Sequence, residues 1–296
     1  MVLPDGTHFS EHTLESQGDI VLGDRVHIEY GLTTPGSVFL GENVDVGGAV
    51  TAGGDVRIDL FSTLRGEVEA AGSAYLGEGV RVCGRLSVEE DLDVGDDVTL
   101  EEGFEARGWI NIRSPIPVVV YMFAYLLQLL RQGRSEEVET ILAQLEETEE
   151  TFRVSDTFFF VPPGSRVGLQ ESTIKGGLRT GTDCRILGNF QVDESARLSR
   201  GTELHGSLRA RGNVHLGPDV VVHGDLEAWG EVTLGENAVI HGKLEAKQAE
   251  LMPGAQVHGT IMAPEGVQFL TPASLDMKQR VEDFNDGVQQ FTELLD

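Results

Sequence analysis

The sequence predicts a mainly β fold: a β-helix, or solenoid, of about 18 residues per triangular coil. It runs in two segments, with an α-helical hairpin inserted between them and a helix at the C-terminus. Three observations carry this prediction. Aliphatic residues recur at steps of 18, as Leu22, Leu40, Ile58, Leu76, Val94 and Ile112. Each 18-mer divides into three hexads whose first and fifth positions are apolar. Glycine is abundant, at 37 of 296 residues, and aromatics make up only 6%, which suits tight corners around a core of small aliphatics.

The hexads justify the strands of the first segment. From Leu22 to Ala106 every first position is aliphatic except Thr34, and from Val26 to Ile110 every fifth position is apolar except Ser62. A fifth position and the next first position are two apart, as in Val26-His27-Ile28 and Val44-Asp45-Val46. Period-two alternation sends both side chains to one face of a short strand. Glycines between the strands tolerate the positive φ of a sharp corner. Three strands and three corners close a coil, and coils stack by parallel pairing.

The second segment repeats the pattern. Leu198, Leu216 and Leu234 open successive coils, and Leu251 follows after a one-residue deletion. The strand Leu208-Arg209-Ala210 returns as Leu226-Glu227-Ala228, Leu244-Glu245-Ala246 and Ile261-Met262-Ala263. Its less regular start, near Pro162, places Gly168 and Thr180 at core positions. The 68 residues from Ile112 to Thr180 are not a multiple of 18, so the two runs are out of phase and something is inserted between them.

That insert opens at Ser114-Pro115-Ile116-Pro117 and continues as an apolar run to Leu130, broken at Gln132-Gly133. Proline at the start and glycine at the end favour a helix. A second helix follows from Ser135, an N-cap, with Val138, Ile141, Leu142 and Leu145 on one face. At about 22 Å, the helix from Ile116 to Leu130 is too short for the ~30 Å hydrocarbon of a bilayer, so we expect it to cover a solenoid end or a dimer seam, with shallow membrane association as the alternative. Phe158, Phe159, Phe160 and Val161 predict a strand leading back to the solenoid. In the tail, Met277, Val281, Phe284, Val288, Phe291 and Leu295 alternate at steps of four and three, an amphipathic helix that reads either as a short coiled-coil-type seam or as a cap over the last coil or flank of the rod. The expected organisation is residues 1–114, first β-helix; 115–150, helical hairpin; 151–265, second β-helix; 266–296, C-terminal helix.

Charge narrows the function. With 49 acidic and 22 basic residues the net charge is −27, and only four of the bases are lysine. Such a surface repels phosphate backbones, so no nucleic-acid partner is expected, and anionic membranes are disfavoured. Dense carboxylates suit a salt-rich, halophile-type cytoplasm, where screening removes their repulsion. Cys83 and Cys184 are the only cysteines and imply no disulfide framework. Met1-Val2-Leu3-Pro4-Asp5-Gly6 has no basic stretch before an apolar run, so a cytoplasmic address is expected.

One column draws attention for chemistry. His205, His223, His241 and His258 lie at steps of 18, 18 and 17, each after an inward apolar residue and before glycine. Their imidazoles should point outward, about 5 Å apart. A metal site or proton-sensitive patch is one reading; a solvated ladder copied with the repeat is the plainer one. The first segment has Glu29, Gly47, Arg65, Cys83 and Glu101 at this place. No phosphate loop or Ser/His/Asp frame is evident. The sequence therefore offers no catalytic, cofactor-binding or metal-binding residue set, and neither an enzyme nor a cofactor is expected.

Segments of the form apolar-x-Gly-x-Leu-x-Ala, such as Val222-His223-Gly224-Asp225-Leu226-Glu227-Ala228, resemble bactofilins, the polymer-forming cytoskeletal proteins. The stretch from Ala249 to Gly259 looks like the end of that domain. The resemblance spans about 165–265, and more loosely about 20–112. It implies a right-handed β-helix, nucleotide-free polymerisation through its ends, and roles in cell shape and membrane-linked scaffolding. The partners implied are the chain itself and other cytoskeletal or membrane proteins, with association at the inner face of the membrane. The chain departs from the family pattern in its two segments, its insert and its tail; a helix on a solenoid end would limit assembly to small oligomers. Hexapeptide-repeat acyltransferases and the related trimeric zinc hydratase share the aliphatic columns, and a rigid acidic protein-binding module is a third reading.

Overall fold

A computed structural model describes residues 1–112 and 157–270. Every regular element among them is a strand of two to four residues, and none is a helix. The expected hairpin at 115–150 and nearly all of the expected C-terminal helix lie outside the described residues. Where that helix was to begin, at 266, the chain instead forms the strand Gly266–Phe269, which pairs in parallel with Gln248–Leu251. The 17-residue spacing to Glu231–Leu234 has already absorbed the deletion, so Val267 and Phe269 fall in register under Ala249 and Leu251 and continue the sheet. The chain divides into two compact units, Ser16–Phe159 and Met1–Glu15 with Phe160–Asp296.

In the unit Ser16–Phe159, each coil gives one strand to each of three parallel sheets. One sheet runs from Asp19–Leu22 through Val56–Ile58 to Ile110–Ile112; the second from His27–Ile28 to Thr99–Leu100; the third from Gly31–Thr34 to Phe104–Ala106. The register follows the repeat, as in Val56 opposite Val38 and Ala74. Inward columns are buried: Val44, Val46, Val50, Ile58, Leu64 and Leu76 are at most 1% exposed. Removing these aliphatics from water drives the coil closed.

The two polar interruptions of the columns are buried and bonded. Ser62 is fully buried; its hydroxyl donates to Gly41 O at 2.9 Å and accepts from Val44 N at 3.0 Å. Thr34 donates to Gly18 O at 2.5 Å and accepts from Gly36 N at 3.0 Å. Each satisfies backbone groups that the strand ladder leaves over, which offsets the cost of a buried hydroxyl.

Corners repeat as faithfully as strands. Arg25, Asn43, Phe61, Gly79 and Asp97, 18 apart, all take the left-handed conformation, with φ from 51° to 68°. Glycine, asparagine and aspartate enter that region most easily. At another corner the side chain of one coil holds the amide of the next: Asp19 Oδ1 accepts from Ser37 N, Ser37 Oγ from Asp55 N, Asp55 Oδ1 from Ser73 N and Asp91 Oδ1 from Trp109 N. Part of the acidity of the chain is thus structural, since these carboxylates bond the corner backbone.

The second unit has the same three-sheet coil, here formed by Leu178–Thr180, Arg185–Leu187 and Asn189–Val192 and their successors. Its opening coil contains the N-terminal residues. Val2–Leu3 pairs in parallel with Leu178–Thr180, His8 pairs with Arg185, and Phe160 pairs antiparallel with Val2. Leu3, Phe9 and Leu14 are buried, and the Phe9 and Phe190 rings meet edge to face at 6.4 Å. Residues 1–15 therefore pack with Phe160 onward, although they adjoin the first segment in sequence. Thr180, an expected core position, is buried and bonds Thr202 and Ser199 N.

Candidate functional site

Two features stand out from the regular coils. The first is the last coil of each unit. Among the described residues, Ile110–Ile112 and Gly266–Phe269 are the terminal strands in the sheet order. Among the described residues, those that continue the inward columns are far more exposed there: Phe104 is 44% exposed, Ile112 70% and Phe269 67%, whereas Leu86, Leu76 and Leu251 in the same columns are at most 3% exposed. Among the described residues no further strand follows either one, and a sheet edge beside exposed apolar side chains is a combination that templates strand addition.

The second feature is the histidine column. Glu203–His205, Val221–Val222 and Val239–Ile240 are neighbouring strands of one sheet. Leu204, Val222 and Ile240 point inward and are buried. By strand alternation the residues on either side of each point outward, so Glu203 and His205 flank Leu204 on the outer face. The His205 and His223 rings stack 4.4 Å apart and 7° from parallel, and His223 and His241 stack at 5.1 Å. His258 lies edge-on to His241, with their Nδ1 atoms 3.1 Å apart. Glu203 Oε1 lies 2.8 Å from His223 Nε2 and 3.2 Å from His205 Nε2. The hydrogen bond from His223, with the His205 imidazole beside it, holds the Glu203 carboxyl below the ordinary glutamate value. The sequence placed the four histidines in one outward column; Glu203 was not singled out. Its place one residue before an inward leucine, two before His205, is the signal that would have found it.

The flat faces carry shallow grooves. One, of about 670 Å³, is lined by Arg179, Glu194, Ser195, Arg197 and His215. Burial and the neighbouring Arg197 push the His215 imidazole below its usual value. Ser195 Oγ accepts from Asn213 N, and no hydrogen bond joins it to His215 among the described residues. Cys184 is buried, its Sγ directed at Pro4 O at 3.2 Å, and burial raises its thiol. Among the described residues, no helix is long and apolar enough to cross a membrane; the apolar run 116–130 lies outside them.

Stacked three-strand coils around aliphatic columns define each unit as a β-solenoid. Residues 169–262 match the family model of bactofilins, described as polymer-forming cytoskeletal, so the second unit carries a bactofilin domain. The match lies within the unit that holds the histidine column and ends at Met262, in the last described coil. No curated protein and no solved structure matches the chain.

Proposed function

We propose that the chain is a structural scaffold that self-associates through its terminal coils without nucleotide and contributes to cell shape. The carrying observation is the pair of strands Ile110–Ile112 and Gly266–Phe269, which end the sheet order among the described residues with their inward columns exposed. Adding a coil there would bury apolar surface and complete a backbone ladder at once. In this reading assembly needs no nucleotide and rests on mass action and surface complementarity. The partner is then another copy of the chain, with cytoskeletal or membrane proteins bound along the acidic faces. A right-handed coil and a cytoplasmic address at the inner face of the membrane complete this reading.

Electron microscopy and sedimentation of the purified chain at high KCl, without nucleotide, test it. We expect filaments or discrete oligomers that grow with concentration, and we expect Phe269→Asp to reduce them by placing a charge on an open edge. A monodisperse monomer across all concentrations and salts would end the proposal.

A further inference from the structure

The histidine column carries an arrangement that a scaffold does not require. Glu203 Oε1 is 2.8 Å from His223 Nε2 and 3.2 Å from His205 Nε2. Ligand atoms about 2.1 Å from a tetrahedral ion lie about 3.4 Å from one another, so these separations are close to those of a metal shell. All three groups offer an atom within 4.8 Å of the others. His205 Nε2 adds an independent sign. It is shielded from solvent and sits 3.2 Å from the Glu203 carboxylate without the alignment of a regular hydrogen bond. A shielded ring nitrogen that is poorly aligned to its carboxylate neighbour gains when a cation binds both.

We infer that Glu203, His205 and His223 form a surface site for one divalent transition-metal ion of the zinc class, held within a single chain and bridging two successive coils. Two imidazoles and a carboxylate are donors that such ions accept, with a fourth position left for water. Mg²⁺ and Ca²⁺ prefer all-oxygen shells and are poor candidates. Each nitrogen lone pair lies in its own ring plane, so two parallel rings cannot both address an ion placed between them. The ion belongs at the ring edge beside Glu203, with His223 turned toward it. His223 is exposed and can turn without disturbing the core. Arg185 is the ladder neighbour of Glu203 on its other side, yet the groups that act on the Glu203 carboxyl are the two histidines and not a guanidinium.

The same outward seat in the other unit shows what a filled site looks like. Asp45, one residue before inward Val46, binds Arg65 twenty residues on, at 2.8 and 3.0 Å. Glu203 contacts His223, also twenty residues on. One unit carries a built-in cation in this seat; the other carries a base that can accept one. The trimeric zinc hydratase alternative would draw its ligands from different subunits, whereas here one chain supplies all three.

The test uses the full chain, stripped with a chelator and titrated with Zn²⁺ by calorimetry in about 1 M KCl, where a Debye length of ~3 Å suppresses the diffuse cation atmosphere of a −27 chain. We expect one Zn²⁺ per chain and a zinc-dependent rise in Tm. His205→Ala and His223→Ala should each weaken binding by more than the ~10–100-fold typical of losing an outer-shell partner. His223→Arg, which copies the arrangement around Asp45, should abolish binding while leaving the zinc-free Tm intact. His215→Ala, on another sheet, should bind as the parent does. The inference fails if the parent retains no zinc, or if several ions bind equally well to the parent and to His223→Ala. Neither failure bears on self-association, which is read from particle size.

Discussion

Two regions with the same coil use their outer faces differently. Around Asp45 the carboxylate is paired with Arg65 and approached by His27 Nδ1 at 3.2 Å. Around Glu203 the equivalent seat holds imidazoles, stacked over three coils. The inward residues barely differ: Val46 and Leu64 in one unit, Leu204 and Val222 in the other, all at most 1% exposed. The comparison teaches that the inward columns specify the coil, while the outward ones are free to vary and so can carry function. A cation supplied by the chain is permanent; one supplied by solution responds to supply and pH.

The inward half of this comparison predicts the largest effects. Leu64→Ala and Leu216→Ala, both fully buried, should each cost about 2–5 kcal/mol in denaturant unfolding, the range for a leucine deleted from a packed core. Ile112→Ala, in a column of the same kind but 70% exposed, should cost far less. An equal cost at Ile112 would show that the terminal coil is covered in solution, and the open-edge account of assembly would fall.

Buried hydroxyls come next. Ser62→Ala leaves Val44 N and Gly41 O without their partner, and Thr180→Ala removes the acceptor of Ser199 N. Each should cost about 1–3 kcal/mol, the penalty of unpaired buried groups. If Ser62→Ala proved neutral in thermal unfolding, the two hydroxyls would be accidents of the repeat and not equivalent devices in the two units.

The smallest effect concerns the outer seat itself. Burial works to raise the Asp45 carboxyl, but Arg65 and His27 outweigh it and hold it below the ordinary 3.8. A lowered folded-state value stabilises the fold above the unfolded value and ceases to do so as pH falls through the folded one. The gap in Tm between the parent and Arg65→Ala should therefore be present at neutral pH, close as Asp45 protonates, and narrow in KCl, because the pair is exposed and screened. A gap that persists unchanged in acid would point to packing of the arginine stem in place of its charge.

Much of this was legible in residues read one after another. Val44-Asp45-Val46 announces a strand because alternation is a local property of the chain. The corner ladder Asp19, Ser37, Asp55, Ser73, Asp91 is equally periodic, yet polar residues at a corner do not declare which amide they will accept until coils are stacked. The histidine column was visible for the same reason as the core. Its conversion into a candidate site required Glu203 Oε1 to reach both Nε2 atoms, which depends on rotamers and on the stacking of neighbouring coils.

By itself the sequence determined the coil, its 18-residue register, the one-residue slip before Leu251 and the outward direction of the histidines, because each follows from a short-range period that any stacking must respect. Only the tertiary structure decided that residues 1–15 close the coil beside Leu178–Thr180, that Gly266–Phe269 extends a sheet, and which side chains converge. Those outcomes rest on pairings such as Val2 with Arg179, between residues far apart in the chain. Such pairings are selected by edge complementarity and buried area, and no local period encodes them.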